Sequence, residues 1–148
     1  PISSGLAQRL FSLGKISGIK DSSGNITVLK SFIDISPEFQ VVSGTDELFL
    51  LALSLGAVGA VSSTANVFPE IFTSIYNALL NRNMDMAIEN QRKLNELCKI
   101  FQYGRLISSY KYALSLRGFK ISDRVRSPQR KLTEEEKEVI RESLKEFL

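Results

Sequence analysis

Lys20 ends a short apolar run, Ile16 to Ile19, and is followed at once by Asp21, Ser22, Ser23 and Gly24. The run is too short for helical periodicity and is closed by turn-forming residues, so it reads as a buried strand with the lysine at its tip. An amine held at the carboxyl end of a strand, among small polar residues, is placed to attack a ketone and form a Schiff base. Apolar walls would lower the ammonium pKa by desolvation and enlarge the fraction of free amine. The same spacing suits a lysine that merely ends a strand and snorkels to water.

The elements around this residue repeat one rhythm. Ile26, Val28, Leu29, Phe32 and Ile33 form the apolar stripe of a helix over 25–35. Phe39 to Ser43 reads as a second strand, and Thr45 or Asp46 can cap a helix through Leu48, Leu50, Leu51 and Leu53 that Gly56 closes. Val58 to Ser62 is a third short strand, tipped by Ser63, Thr64, Ala65 and Asn66. Strands alternating with helices at short spacing argue for parallel βα units. In a (β/α)8 barrel the active-site groups gather at the carboxyl ends of the strands, which would put Lys20, Thr45, Asp46, Ser63, Thr64 and Asn66 on one rim.

Three segments, Gly18-Ile19-Lys20-Asp21-Ser22-Ser23-Gly24, Ser43-Gly44-Thr45-Asp46-Glu47 and Gly59-Ala60-Val61-Ser62-Ser63-Thr64-Ala65-Asn66, resemble successive motifs of the pyruvate-dependent class I aldolase and lyase superfamily. That group includes dihydrodipicolinate synthase, N-acetylneuraminate lyase and the 2-keto-3-deoxy sugar-acid aldolases. Upstream, Pro1-Ile2-Ser3-Ser4-Gly5 is similar to the family's turn after its fifth strand. Downstream, 125–128 and the acidic helix start at 132–136 are similar to its closing helical region.

The resemblance implies an α/β fold: about strands six to eight of a (β/α)8 TIM barrel over 1–82, with an appended helical module over 83–148. It implies that Lys20 is the Schiff-base nucleophile, that the Val61 carbonyl lies near bound pyruvate, and that Ser22, Gly44, Asp46, Glu47 and Ser63 line the second-substrate pocket. Each of the polar ones also has a structural reading: Ser22 as a turn residue, Asp46 as an N-cap, Ser63 as a loop hydroxyl. The implied substrates are pyruvate and an aldehyde, or the 2-keto acid they form, and the chemistry needs neither cofactor nor metal. Homodimers or homotetramers in the cytoplasm are the family's habit. Dihydrodipicolinate synthases commonly carry an arginine where Ser3 stands here, and a serine lacks that guanidinium fork for a carboxylate. The substitution favours a 2-keto-3-deoxygluconate type of aldolase over dihydrodipicolinate synthesis, with Ser3 among the hydroxyls available to a sugar acid. A full barrel takes about 250 residues, so at 148 residues strands one to five, with the family's proton-relay tyrosine, are expected outside this chain. Alone, it would leave open sheet edges that invite pairing or aggregation.

Pro69 suits the first position of a helix carrying Ile71, Phe72, Ile75, Tyr76, Leu79 and Leu80. Further helices are expected over 84–103, 106–116 and 134–147, the last with Thr133 and Glu136 at capping-box spacing. Tyr110 and Lys111, on the helix over 106–116, could face the barrel mouth or solvent, and solvent or packing contacts are expected for both. Hydrophobic residues make up 43% and charged residues 24% of the chain, which describes a globular protein, and no apolar run approaches the ~18 residues of a membrane span. The absence of histidine excludes a Ser-His-Asp triad built from this segment. Cys98, the single cysteine, reads as a packed thiol. Net charge is +3, with Arg117, Lys120, Arg124, Arg126, Arg130 and Lys131 close together. That cluster reads as a solvated or interface loop; nucleic-acid binding, or a non-catalytic interaction role, is the rival from another class.

Overall fold

A computed structural model of the chain describes residues 2–148. Three strands, β1 (Gly18–Asp21), β2 (Gln40–Ser43) and β3 (Gly59–Ala60), form a parallel sheet in the order β1-β2-β3. Helices α2 (Ile26–Ile33) and α3 (Phe49–Leu55) make the crossovers, so the sequence's alternation is realised as two consecutive βαβ units. Asn25 caps α2 through its side chain, which accepts from Thr27 and Val28 N–H. Gly56 ends α3 with φ of 112°, a left-handed conformation that side chains rarely adopt.

Four differences from the sequence reading have physical causes. Residues 4–12 form α1 (Ser4–Ser12), which the turn motif did not reveal; Ser3 caps it by accepting from Leu6 N–H. β1 runs one residue further, to Asp21, because the ladder continues opposite Ser43. β3 is only two residues long instead of five, since β2 is its sole pairing neighbour among the described residues. The helix expected from Thr45 or Asp46 begins as a 3-10 turn, Asp46–Leu48, with no side-chain cap, and becomes α-helical at Phe49.

The chain continues through α4 (Pro69–Leu80), α5 (Met84–Tyr103), α6 (Leu106–Leu116) and α7 (Glu134–Leu144). Pro69 opens α4, and the capping box of α7 is formed in both directions between Thr133 and Glu136. Two apolar cores result. The smaller joins Ala7, Leu29, Phe32, Phe39, Val41, Ala52 and Ala57, where α1 and α2 cover the sheet, and Phe11 meets Phe39 edge-on at 5.2 Å. The larger runs from Phe49 on α3 to Leu144 on α7 and crosses position 82, so the late helices pack directly onto α3 and α4. No helix of the described residues is long and apolar enough to cross a membrane.

Half of the basic cluster is paired, and Lys120, Arg124 and Arg126 form no ion pair among the described residues. Arg117 pairs with Glu70 at 2.8 Å, donates to the Val67 carbonyl and lies over the Phe68 ring. Arg130 grips Glu136, and Lys131 pairs with Asp123 at 2.9 Å.

Candidate active site

Parallel register decides what the strand tips share. Asp21 stands opposite Ser43, and Ser43 opposite Ala60, so the residues that follow leave the sheet at one level. Two more hydrogen bonds extend the ladder beyond the strands: Gly44 N–H donates to Asp21 O at 2.7 Å and Val61 N–H to Ser43 O at 2.8 Å. Lys20, Gly44 and Val61 are thereby brought to one end of the sheet. The turn after Lys20 is fixed by buried Asp21, whose carboxylate accepts from Ser23 N–H at 3.1 Å and Ser23 Oγ at 2.9 Å.

A cavity of about 220 Å³ opens at this end. Lys20, Gly44, Thr45, Asp46, Glu47, Val61 and Ser63 line it from the strand ends, and Cys98, Gln102, Leu106 and Tyr110 from α5 and α6. Gly44 leaves room for its neighbours: a Cβ there would stand 2.5 Å from Lys20 Cε and closer still to Ser22 Oγ, so both side chains would have to shift. The helices do more than close the wall. Buried Gln91 on α5 donates to the Asp46 carbonyl at 3.0 Å and accepts from Leu50 N–H at 2.8 Å, tying down the turn that carries Asp46 and Glu47. Gln102 Nε2 reaches Glu47 Oε1 at 3.2 Å.

Tyr110 Oη lies 3.4 Å from Thr64 Oγ1, and its ring packs on Phe101 at 4.5 Å. Burial raises the Tyr110 pKa, against a lowering by the Thr64 contact. The Cys98 thiol is pushed up to about 12, first by burial and then by the carboxylates of Glu47 and Asp46. Both groups are therefore protonated at neutral pH.

Of the residues named from the sequence, the cavity unites Lys20, Gly44, Asp46, Glu47, Val61 and Ser63. Ser22 adjoins it through its closeness to Gly44. Ser3 lies outside the lining, exposed at the start of α1 with its hydroxyl accepting from Leu6 N–H. Asp46 does not cap a helix with its side chain. Lys20 is exposed in this chain, so the described residues do not enclose it in the apolar walls that the sequence reading considered. Tyr110, expected in solvent or packing, is in the cavity wall, whereas Lys111 donates to the Arg124 carbonyl. Cys98, Gln102 and Leu106 carried no sequence signal for the site. The i, i+4 spacing of Cys98 and Gln102 puts them on one helix face, yet nothing local says which face meets the strand tips.

The family model of the dihydrodipicolinate synthetase family matches residues 2–147. An uncharacterized DapA-like lyase of Pyrococcus horikoshii is 34% identical over 133 residues, covering 86% of this chain and 46% of the relative. A 4-hydroxy-tetrahydrodipicolinate synthase of Archaeoglobus fulgidus is 33% identical over 141 residues, covering 95% and 48%. Among solved structures, N-acetylneuraminate lyase from Fusobacterium nucleatum complexed with pyruvate superposes with a TM-score of 0.91 at 28% identity, over 99% of this chain and 50% of that one. Dihydrodipicolinate synthase from Bacteroides thetaiotaomicron gives 0.90 at 31% identity, over 98% and 51%. The chain thus spans about half the length of the relatives it matches. With the family model matched along nearly its whole length and an α/β architecture with late helices in common with these enzymes, the chain belongs to the dihydrodipicolinate synthetase family of lyases and synthases.

Proposed function

We propose that this chain acts as the carboxyl-terminal part, about strands six to eight, of a (β/α)8 lyase that works through a lysine Schiff base. Residues 1–82 would carry the barrel portion, and the helical module of 83–148 would wall the site. One observation carries the reading: Lys20 opens into a single cavity with Gly44, Asp46, Glu47, Val61 and Ser63, the residues that its family motifs single out. Lys20 Nζ, as free amine, adds to the keto carbon of pyruvate, and loss of water leaves an iminium. Its positive nitrogen draws electrons from the adjacent methyl carbon, which gives up a proton to form an enamine. That carbon then bonds to an aldehyde, and hydrolysis of the new imine returns the amine. Run backwards, the sequence cleaves a 2-keto acid into pyruvate and an aldehyde. The Val61 carbonyl would face pyruvate, with Ser22 and Ser63 as hydroxyl partners; Ser3, committed to its cap, has the weakest structural support.

The preferred reaction is cleavage of a 2-keto-3-deoxy sugar acid of the gluconate type. Asp46 and Glu47 on the lining suit acceptance of hydroxyl donors, and Ser3 replaces a carboxylate-binding arginine. The second reading, condensation of pyruvate with aspartate semialdehyde, is favoured by relatives named 4-hydroxy-tetrahydrodipicolinate synthase. Homodimeric or homotetrameric assembly in the cytoplasm, with the first half of the barrel present, belongs to the same proposal. Borohydride trapping with pyruvate tests it, on the chain completed by a first half-barrel, with Lys20→Ala as control. A reduced pyruvyl adduct mapped to Lys20 is expected; its absence from the folded, completed protein overturns the reading. Condensation rates with glyceraldehyde and aspartate semialdehyde then separate the two substrates.

A further inference from the structure

The late helices do not merely cover the cavity: one of them holds the carboxylate that would meet the second substrate. Gln91 and Gln102 stand i, i+11 on α5, close to three turns apart and so on one face. Gln91, buried, fixes the backbone of the Asp46–Leu48 turn from both sides, through the Asp46 carbonyl and Leu50 N–H. Gln102 holds the side chain, donating from Nε2 to Glu47 Oε1 at 3.2 Å. An ionised carboxylate only accepts, so the amide must turn its NH₂ toward Glu47. Glu47 Oε2 has no hydrogen-bond partner among the described residues and stays available as an acceptor. Gln102 and Glu47 both line the cavity that contains Lys20.

We infer that Gln102 is a specificity-determining positioning residue: it fixes the Glu47 carboxylate as the acceptor for a hydroxyl of the aldehyde partner. The ligand class is an uncharged hydroxyaldehyde, because a second carboxylate at this wall would meet Glu47 as a like charge. The inference rests on the Schiff-base reading of Lys20. A loose glutamate would have to be ordered by each incoming substrate, whereas one already held loses less side-chain freedom on binding.

The test uses the completed barrel and two probes that differ in hydroxyls, glyceraldehyde and propionaldehyde, each condensed with pyruvate. Gln102→Leu is expected to lower the ratio of kcat/KM for glyceraldehyde to that for propionaldehyde about tenfold, mainly through KM for glyceraldehyde. Gln102→Glu, which places a like charge beside Glu47, is expected to lower it further. Gln102→Asn, shorter by one methylene but still a donor, is expected to recover part of the ratio, a response that simple loss of packing would not give. Pyruvate trapping at Lys20 is measured in parallel on every variant. An unaltered ratio in both Gln102→Leu and Gln102→Glu, with the adduct still forming, overturns the role of Gln102 alone. Failure of the unsubstituted protein to form the adduct overturns the Schiff-base reading and this inference with it.

Discussion

Gly44 and Lys20 lie so close that a Cβ on the glycine would stand 2.5 Å from Lys20 Cε, inside the contact distance of two carbons. The Lys20 alkyl stem runs over bare backbone at the tip of the neighbouring strand. Gly44→Ala should therefore displace the amine without disturbing the distant cores. Loss of about 10²-fold in the rate of pyruvyl adduct formation is expected, with an unfolding transition near that of the parent. Adduct formation at the parental rate would show that the stem has another path.

Gln91 links α5 to the turn that bears Asp46 and Glu47, and it also meets Asn95 at 2.8 Å. Gln91→Leu would leave the part-buried Leu50 N–H without its partner, at about 1–3 kcal/mol for an unsatisfied group, whereas the Asp46 carbonyl keeps Phe49 N–H. Urea denaturation should show a loss of roughly 1–3 kcal/mol on that scale, as the turn loosens. A loss below about 0.5 kcal/mol would mean that water replaces the amide without cost.

Cys98 borders the cavity but is buried, and its pKa of about 12 against an ordinary 9.0 cuts the thiolate fraction about 10³-fold at neutral pH. Alkylation by iodoacetamide at pH 8 should be slower than for a free cysteine by a similar factor and become rapid in denaturant. Fast alkylation of the folded protein, followed by peptide mass, would contradict the packed thiol.

Glu136 links pH to the stability of α7. Arg130 bonds both its oxygens, at 2.7 and 2.8 Å, and together with Thr133 N–H holds its pKa at about 2, below an ordinary 4.5. The folded chain then binds fewer protons than the unfolded one, so the contribution is complete above about pH 4.5 and is lost as pH falls toward 2. Glu136→Gln keeps the capping geometry and removes the charge. Because Arg130 is well exposed, the gap to the parent should be only ~0.5–1 kcal/mol at pH 7 and close by about pH 2, read from urea melts across that range.

The sequence by itself determined the local order. Alternating apolar runs and turn residues gave β1, α2, β2, α3 and β3; Pro69 marked the start of α4, and Thr133 with Glu136 the start of α7. It also placed Lys20 near the carboxyl end of a strand, one residue short of the Asp21 at which the ladder stops. Tertiary structure decided three other matters. The length of β3 depends on which strand pairs with it, a property that belongs to the ladder rather than to Val58 to Ser62. α1 is held by its Ser3 cap and by Ala7 and Phe11 packing with the first core, contacts made with residues far along the chain. The far wall of the cavity, Cys98, Gln102, Leu106 and Tyr110, comes from helices whose amphipathic pattern states that one face is buried without stating against what. Periodicity is a property of neighbours in sequence; the meeting of Gln102 with Glu47 depends on how α5 packs beside the sheet, and only the assembled core fixes that.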